Sequence, residues 1–598
     1  MIKLPSIFSN GMVINKEARI WGWAKPETQI TITFQGKSYN TSSAQDGRFE
    51  ATLISPEYGG PYEFKIDKNV IQDVYVGHVW LCGGQSNMEQ PLSRTRPLLD
   101  KHIKDNPYIR AFQAEKGLRF DGPACDVKGH WQTATDEALN EIFAVPYFFA
   151  QALNLGQIPI GLINIAAGGT PAEAWLPEEI IRTYPDLYKK LEPYKQPGFV
   201  ETQEKAEAAR VQEWHKNLHD NDTGLSEGWH LPSYIHDHWE EKMLLEKSTP
   251  KHGAVWYRKD IILPAEAITG PINLSLGRVV DSVKVYVNGE PVTSVDYQYP
   301  PCRCTIPEGL LKFVRNTIAI RVVGSSNSLH FTPGKRYELT HKNGGISLLG
   351  PWKRRVGCSM PQLKPATWLY NIPTCTYNYM LAPVLGHSIH GVIWYQGESN
   401  TGAPQGYKAL FAAFVSLLRK HFGEDLPVIF TQLANFVDPH SSGENWAELR
   451  HQQSQCLEIP KTAMAVTIDC GEWNDLHPQD KKTVGERLAL SARRLAYGED
   501  IAYSGPVAKE AVINNGELKI SFNHGEGLWA KNARPMVEVI TANETTHHFY
   551  AKIEDDTLIA QVGDIHATHV RFAWTDCPAV VLYNAHGLPA SPFKLAIG

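Results

Sequence analysis

No apolar run in this chain of 598 residues reaches the ~18 residues that a membrane-spanning helix needs, so a helical anchor is not expected. Surplus positive charge is missing too. Lys and Arg number 58 against 64 Asp and Glu, which leaves no basic footprint for nucleic acid, and a net charge of -6 is too mild to name an acidic or basic partner. The nine cysteines are odd in number and scattered, so no disulfide framework is expected. Cys302-x-Cys304 lacks a second pair at ligand spacing, and the histidines at 215, 219, 230, 236 and 238 fall among many Lys, Glu and Asp, as on a solvated helical arm. No metal is expected at either place. Internal repeats and low-complexity segments are absent, and the opening Met-Ile-Lys-Leu-Pro does not have the form of a signal peptide.

What is present changes period along the chain. Residues 1–70 alternate in the strand manner, as in Arg19 to Trp23 and Ile30 to Phe34, and predict a small β-sandwich. Residues 71–225 and 355–504 mix apolar strands with helical patterns such as Tyr407, Leu410, Phe411, Phe414, Leu417 and Leu418. They predict one split α/β domain with a parallel sheet. Strand vocabulary returns in 226–354, for example Val283 to Gly289 and Asn316 to Val322, and again in 505–598.

Four apolar strands of the α/β part end in polar or glycine-rich loops. Gly83-Gly84-Gln85-Ser86-Asn87-Met88-Glu89 follows the run Val74 to Trp80, and Gly168-Gly169-Thr170-Pro171 follows Gly161 to Ala167. Gln396-Gly397-Glu398-Ser399-Asn400 follows Gly391 to Tyr395, and Asn474-Asp475-Leu476-His477-Pro478 follows Met464 to Ile468. Ligands of parallel sheets bind beyond the carboxyl ends of the strands, where all four loops would meet. There a serine on a tight turn and a histidine with a neighbouring carboxylate have the makings of a nucleophile and its base.

These blocks, in this order, resemble the sialate O-acetylesterase group of SGNH hydrolases. The likeness extends to Leu4 to Val13 and to Tyr583 to Phe593, so it spans nearly the whole chain. It implies a three-layer α/β/α sheet with an inserted galactose-binding-like jelly roll at 226–354 and β domains at both ends. By the same resemblance Ser86 is the nucleophile, His477 the general base and acid, and Asp475 the residue that orients the imidazole. The oxyanion hole combines the backbone N–H groups of Ser86 and Gly168 with a side-chain amide from the third block, Gln396 or alternatively Asn400. No cofactor is required, and export to the periplasm or beyond is implied, while the opening residues leave the cytoplasm open.

Two departures from the general SGNH pattern stand out. The third block has Ser399 where an asparagine is usual, and Asp475 stands two rather than three residues before His477. A main-chain carbonyl in place of Asp475 would make the site a Ser-His dyad. Gln85, Glu398, Trp175 and Trp394 are candidate substrate contacts, as is Trp446, and Glu398 has the alternative of bracing its loop. The substrate is an O-acetylated sugar, either sialic acid or an acetylated polysaccharide such as xylan. Arg450 or Arg487 would supply the cationic pocket a sialate carboxylate needs, whereas a non-catalytic carbohydrate-binding protein would not need both Ser86 and His477. Oligomeric state is not legible.

Overall fold

The strands that end in the four motif loops lie in one sheet. In the computed structural model, which describes residues 2–248, 250–264, 267, 270–437, 443–531, 533–579 and 581–598, this sheet has seven strands. They are β1 (His78–Gly84), β2 (Asn106–Ala114), β3 (Gly129–Ala134), β4 (Ile160–Ala166), β5 (Gly391–Tyr395), β6 (Val428–Thr431) and β7 (Thr462–Ala465). Their order is β3-β2-β4-β1-β5-β6-β7, and all neighbours run parallel except β3 against β2. β1, β4, β5 and β6 are buried along their whole length, as strands covered on both faces must be.

From β1 the chain builds the sheet outward to one side through β4 and β2 and to the other through β5, β6 and β7. The strand direction therefore opens a crevice above the end of β1, and Ser86 lies there. The helices used below are α1 (Ser86–Glu89), α2 (Ala144–Leu153), α3 (Tyr407–Phe422), α4 (Asn445–Gln455) and α5 (Lys481–Leu495). α5 packs closely on α2: a Cβ on Gly485 would stand 2.7 Å from the Phe149 backbone nitrogen.

The chain divides into two compact units, residues 1–196 with 368–598, and residues 197–367. In the first, β strands up to Val76 form a five-stranded and a two-stranded sheet, so the N-terminal β part runs past residue 70. It docks through Phe8 and Trp21, which pack on His387. A seven-stranded antiparallel sheet starting at Val507 closes the chain and has its own core around Val537, Val539, Leu558 and Val570.

The second unit starts earlier and ends later than the 226–354 span expected from strand vocabulary. Its first element is the helix Phe199–Asn221, whose Trp214 and Leu218 pack with Ala254, Val323 and Leu363 of the same unit. A six-stranded and a four-stranded sheet bury Val255, Leu274, Val285, Ile320 and Trp352 in a common core. Among the described residues no helix is long and apolar enough to cross a membrane, and no group of three or more His, Cys, Asp or Glu is placed to hold a metal ion.

Candidate active site

The glycines before Ser86 belong to β1 itself and answer to its neighbour β5. A Cβ on Gly83 would lie 2.7 Å from the Trp394 ring, and one on Gly84, where φ is +135°, would lie 2.1 Å from the Tyr395 carbonyl oxygen. Only glycine lets β1 and β5 approach this closely. The chain then turns at Gln85, whose N–H donates to the Tyr395 carbonyl at 2.9 Å, and enters α1 with Ser86 at its first position and only half-buried.

Gly168, at the end of the β4 loop, is next to this serine. A Cβ placed on it would be 3.3 Å from Ser86 Cβ and 2.8 Å from Glu89 Oε1. The Glu89 carboxylate lies beside Gly168, pairs with Lys116 at 3.3 Å, and is pushed above the usual carboxylate range by burial, against the pull of Lys116 and of the Gly168 N–H. One of the two expected backbone donors thus has a carboxylate as its neighbour.

Asn87 joins three of the four loops. Its Nδ2 donates to Glu398 Oε1 at 2.5 Å and to the Leu476 carbonyl at 3.0 Å, and its Oδ1 accepts from Lys481 Nζ at 2.5 Å. Ser86 and His477 are therefore each one residue from a direct hydrogen bond between their loops. Asp475 Oδ1 accepts the backbone N–H of His477 at 3.0 Å, so the carboxylate shapes the turn that carries the imidazole. Lys481 is completely buried, and burial drives its ammonium down to about 8 against the pull of Glu398 and Asp475. Glu398 is displaced upward by burial, with Asn87 and Lys481 opposing.

The amide expected from the third block faces inward. In the free protein Gln396 Nε2 lies 2.7 Å from Asn400 Oδ1 and 3.2 Å from both Gln85 Oε1 and the Thr170 carbonyl, acceptors shared by its two N–H groups. Asn400 accepts the Ala172 N–H and donates to Glu173 Oε2, both at 2.9 Å, and so ties the second loop to the third. Gln85 Oε1 accepts from Gln396 Nε2 and from the N–H groups of Gly397 and Ser399, so this side chain ties the first loop to the third. Glu398 is buried and accepts from Asn87, as a residue bracing its loop would.

The tryptophans chosen for sugar contact are core residues. Trp175 and Trp394 are 0% and 2% exposed and meet edge to face at 5.5 Å, and Trp446 packs on Phe436. Their position beside motif loops is real, but each ring points into the domain. Exposed indoles near the motif loops are instead Trp368, at 54%, whose Nε1 donates to the Gly168 carbonyl at 3.3 Å, and Trp473, at 48%, four residues before His477. Arg450 is spent on the carbonyls of Leu433, Ala434, Thr575 and Asp576, and Arg487 on Asp469 and the Val466 carbonyl. Neither can receive a substrate carboxylate.

Sequence reasoning missed Asn87, Glu89, Lys481 and Trp368. Lys481 had a signal: a lysine in the first turn of a helix opposes the helix dipole and needs a partner. Trp368 had none, because nothing in its neighbours in sequence points to Gly168.

This fold and these converging loops are those of a carbohydrate esterase, an enzyme of the carboxylic ester hydrolase class. Residues 76–202 and 355–494 match the family model described as carbohydrate esterase, sialic acid-specific acetylesterase. It is 28% identical to the sialate O-acetylesterase of Mus musculus over 650 positions, covering 99% of this chain and 94% of that one. It is 22% identical to the Homo sapiens sialate O-acetylesterase, covering 99% and 92%. Among solved structures, a carbohydrate acetylesterase from Xanthomonas citri superposes over 100% of this chain and 99% of its own, with a TM-score of 0.63 and 24% identity, a likeness of fold.

Proposed function

We propose that this protein removes O-acetyl groups from sugars by acyl transfer through Ser86, and that O-acetylated sialic acid is its substrate. The observation that carries the mechanism is the Asn87 link, which holds the Ser86 loop and the His477 loop together at the end of β1. On this reading the α/β domain is the three-layer sheet of the SGNH hydrolases, and residues 197–367 are a galactose-binding-like jelly roll.

Ser86 Oγ attacks the acetyl carbonyl carbon while His477 takes its proton. The tetrahedral adduct collapses, the ester C–O bond breaks, and the sugar oxygen leaves with the proton from His477. Water, deprotonated by His477, then cleaves the acetyl-serine to acetate and restores Ser86. The N–H groups of Ser86 and Gly168 stabilise the oxyanion, each donor lowering the barrier by roughly 3 to 4 kcal/mol. Asp475 supports His477 by shaping its turn.

A second reading, hydrolysis of acetyl esters on a neutral polysaccharide, is favoured by two observations. Arg450 and Arg487 are consumed internally, and the exposed face of Trp368 beside Gly168 suits an uncharged sugar ring. Acetate release from O-acetylated sialic acids and from acetylated xylo-oligosaccharides, measured side by side for wild type and Ser86→Ala, decides between them. Release confined to sialic acids and lost in the variant supports the first reading. Release from xylo-oligosaccharides alone replaces it with the second, and undiminished release by Ser86→Ala removes the mechanism.

A further inference from the structure

Asn87 sits between a carboxylate and an ammonium, and this fixes which way its amide faces. A carboxylate only accepts and an ammonium only donates, so Nδ2 must face Glu398 and Oδ1 must face Lys481. With that orientation the Nδ2 group also reaches the Leu476 carbonyl, next to His477. With the amide reversed, the carbonyl of Leu476 would meet Asn87 Oδ1, oxygen against oxygen. The three side chains are all buried, so bulk water does not compete for these hydrogen bonds.

We infer that Lys481 and Glu398 are positioning residues for the Ser86–His477 pair, acting through Asn87 and touching neither substrate nor the reacting atoms. The two opposite charges serve as a matched pair of clamps on one amide, and the amide sets the spacing of the two catalytic loops. Removing either charge leaves the other buried without its counterpart and frees the amide to turn. The loop carrying His477 then loses its tie to the residue after Ser86, and an error of about 1 Å in such a geometry costs about 100-fold in rate.

This inference rests on the Ser86–His477 reading above but not on the identity of the sugar, so its test uses 4-nitrophenyl acetate, a general acetyl donor. Lys481→Met is expected to lower kcat between about 10- and 100-fold with KM changed less than about 3-fold, and Asn87→Ala to do the same. Because Lys481 acts through Asn87, the double variant should be no slower than Asn87→Ala alone, whereas independent losses in rate would multiply. Should Lys481→Met not fold, as judged by circular dichroism, Glu398→Gln takes its place in the same cycle, since it keeps the size of the side chain and an acceptor for Asn87. Multiplying losses in the cycle, or unchanged kcat in the single variants, would overturn the positioning role while leaving the esterase mechanism intact. A wild type that neither hydrolyses the ester nor reacts at Ser86 with a fluorophosphonate would instead remove the reading beneath it.

Discussion

Gly84 and Ser86 are two residues apart, yet substituting them should have opposite signatures. An alanine at 84 would put its Cβ 2.1 Å from the Tyr395 carbonyl oxygen, at a φ of +135° that side chains rarely adopt. Neither β1 nor β5 can retreat, since each is paired on both edges. Overpacking and backbone strain each cost about 1 to 3 kcal/mol, so Gly84→Ala should lose roughly 2 to 6 kcal/mol in denaturant unfolding. A midpoint equal to wild type would show that the strands have more freedom than this register allows. Ser86→Ala and His477→Ala should instead keep the wild-type unfolding curve and lose turnover. Asp475→Asn keeps an oxygen that can accept the His477 backbone N–H, so its loss of kcat should be smaller than that of His477→Ala. Equal losses for Asp475→Asn and His477→Ala would give the carboxylate a direct part in the chemistry.

At the scale of elements, the four motif strands and the helix α3 were legible because their apolar periods are long and each ends in residues that cannot continue it. The partners of the loop side chains were not legible. Gln85, Gln396, Glu398 and Trp175 stand in motifs, as substrate-binding residues would, and only the three-dimensional arrangement shows that they hold the loops to one another. One cluster at the far end of the sheet was also invisible in sequence. His78 at the start of β1 lies 4.2 Å from the ring of His390, just before β5, and its Nδ1 is 2.9 Å from the Tyr497 hydroxyl. Burial, helped by repulsion from His390, lowers His78 to about 4, and burial lowers His387, under the N-terminal β domain, to about 4 as well. Both lie below the unfolded value near 6.5, so the unfolded chain binds these protons first. Their contribution to stability is complete above about pH 6.5 and is lost as pH falls through 4, on the order of 3 kcal/mol for each. The urea midpoint should drop between pH 7 and 4.5, and drop less in His78→Phe, which keeps a ring in the stack. An identical pH dependence in variant and wild type would assign the acid sensitivity to carboxylates alone.

For the whole molecule, the informative feature is how residues 197–367 are closed on themselves. The helix Phe199–Asn221 and the segment 361–367 that ends the unit are laced together. Trp214 Nε1 donates to the Pro361 carbonyl at 2.8 Å, and Arg210 to the carbonyls of Lys364 and Pro365. Gln203 Nε2 donates to Thr367 Oγ1 at 2.7 Å, and Thr367 N–H to Glu207 Oε2 at 2.8 Å. The sequence reading began this unit at 226 because the helix is charged along most of its length and resembles a solvated arm. Its hold on the unit comes from Trp214, Leu218 and a few polar side chains rather than from an apolar stripe, so its allegiance could not be read from periodicity. A segment whose two ends are tied to each other and whose core is its own satisfies the conditions for independent folding. Residues 197–367 expressed alone should therefore give a strand-rich circular dichroism spectrum and a single cooperative melt. Cutting the segment to 226–354 should abolish that melt, because it removes the helix and the strap that close Ala254 and Val323 from water. A cooperative melt in the shorter piece, at the same temperature, would show that the helix belongs to the other unit.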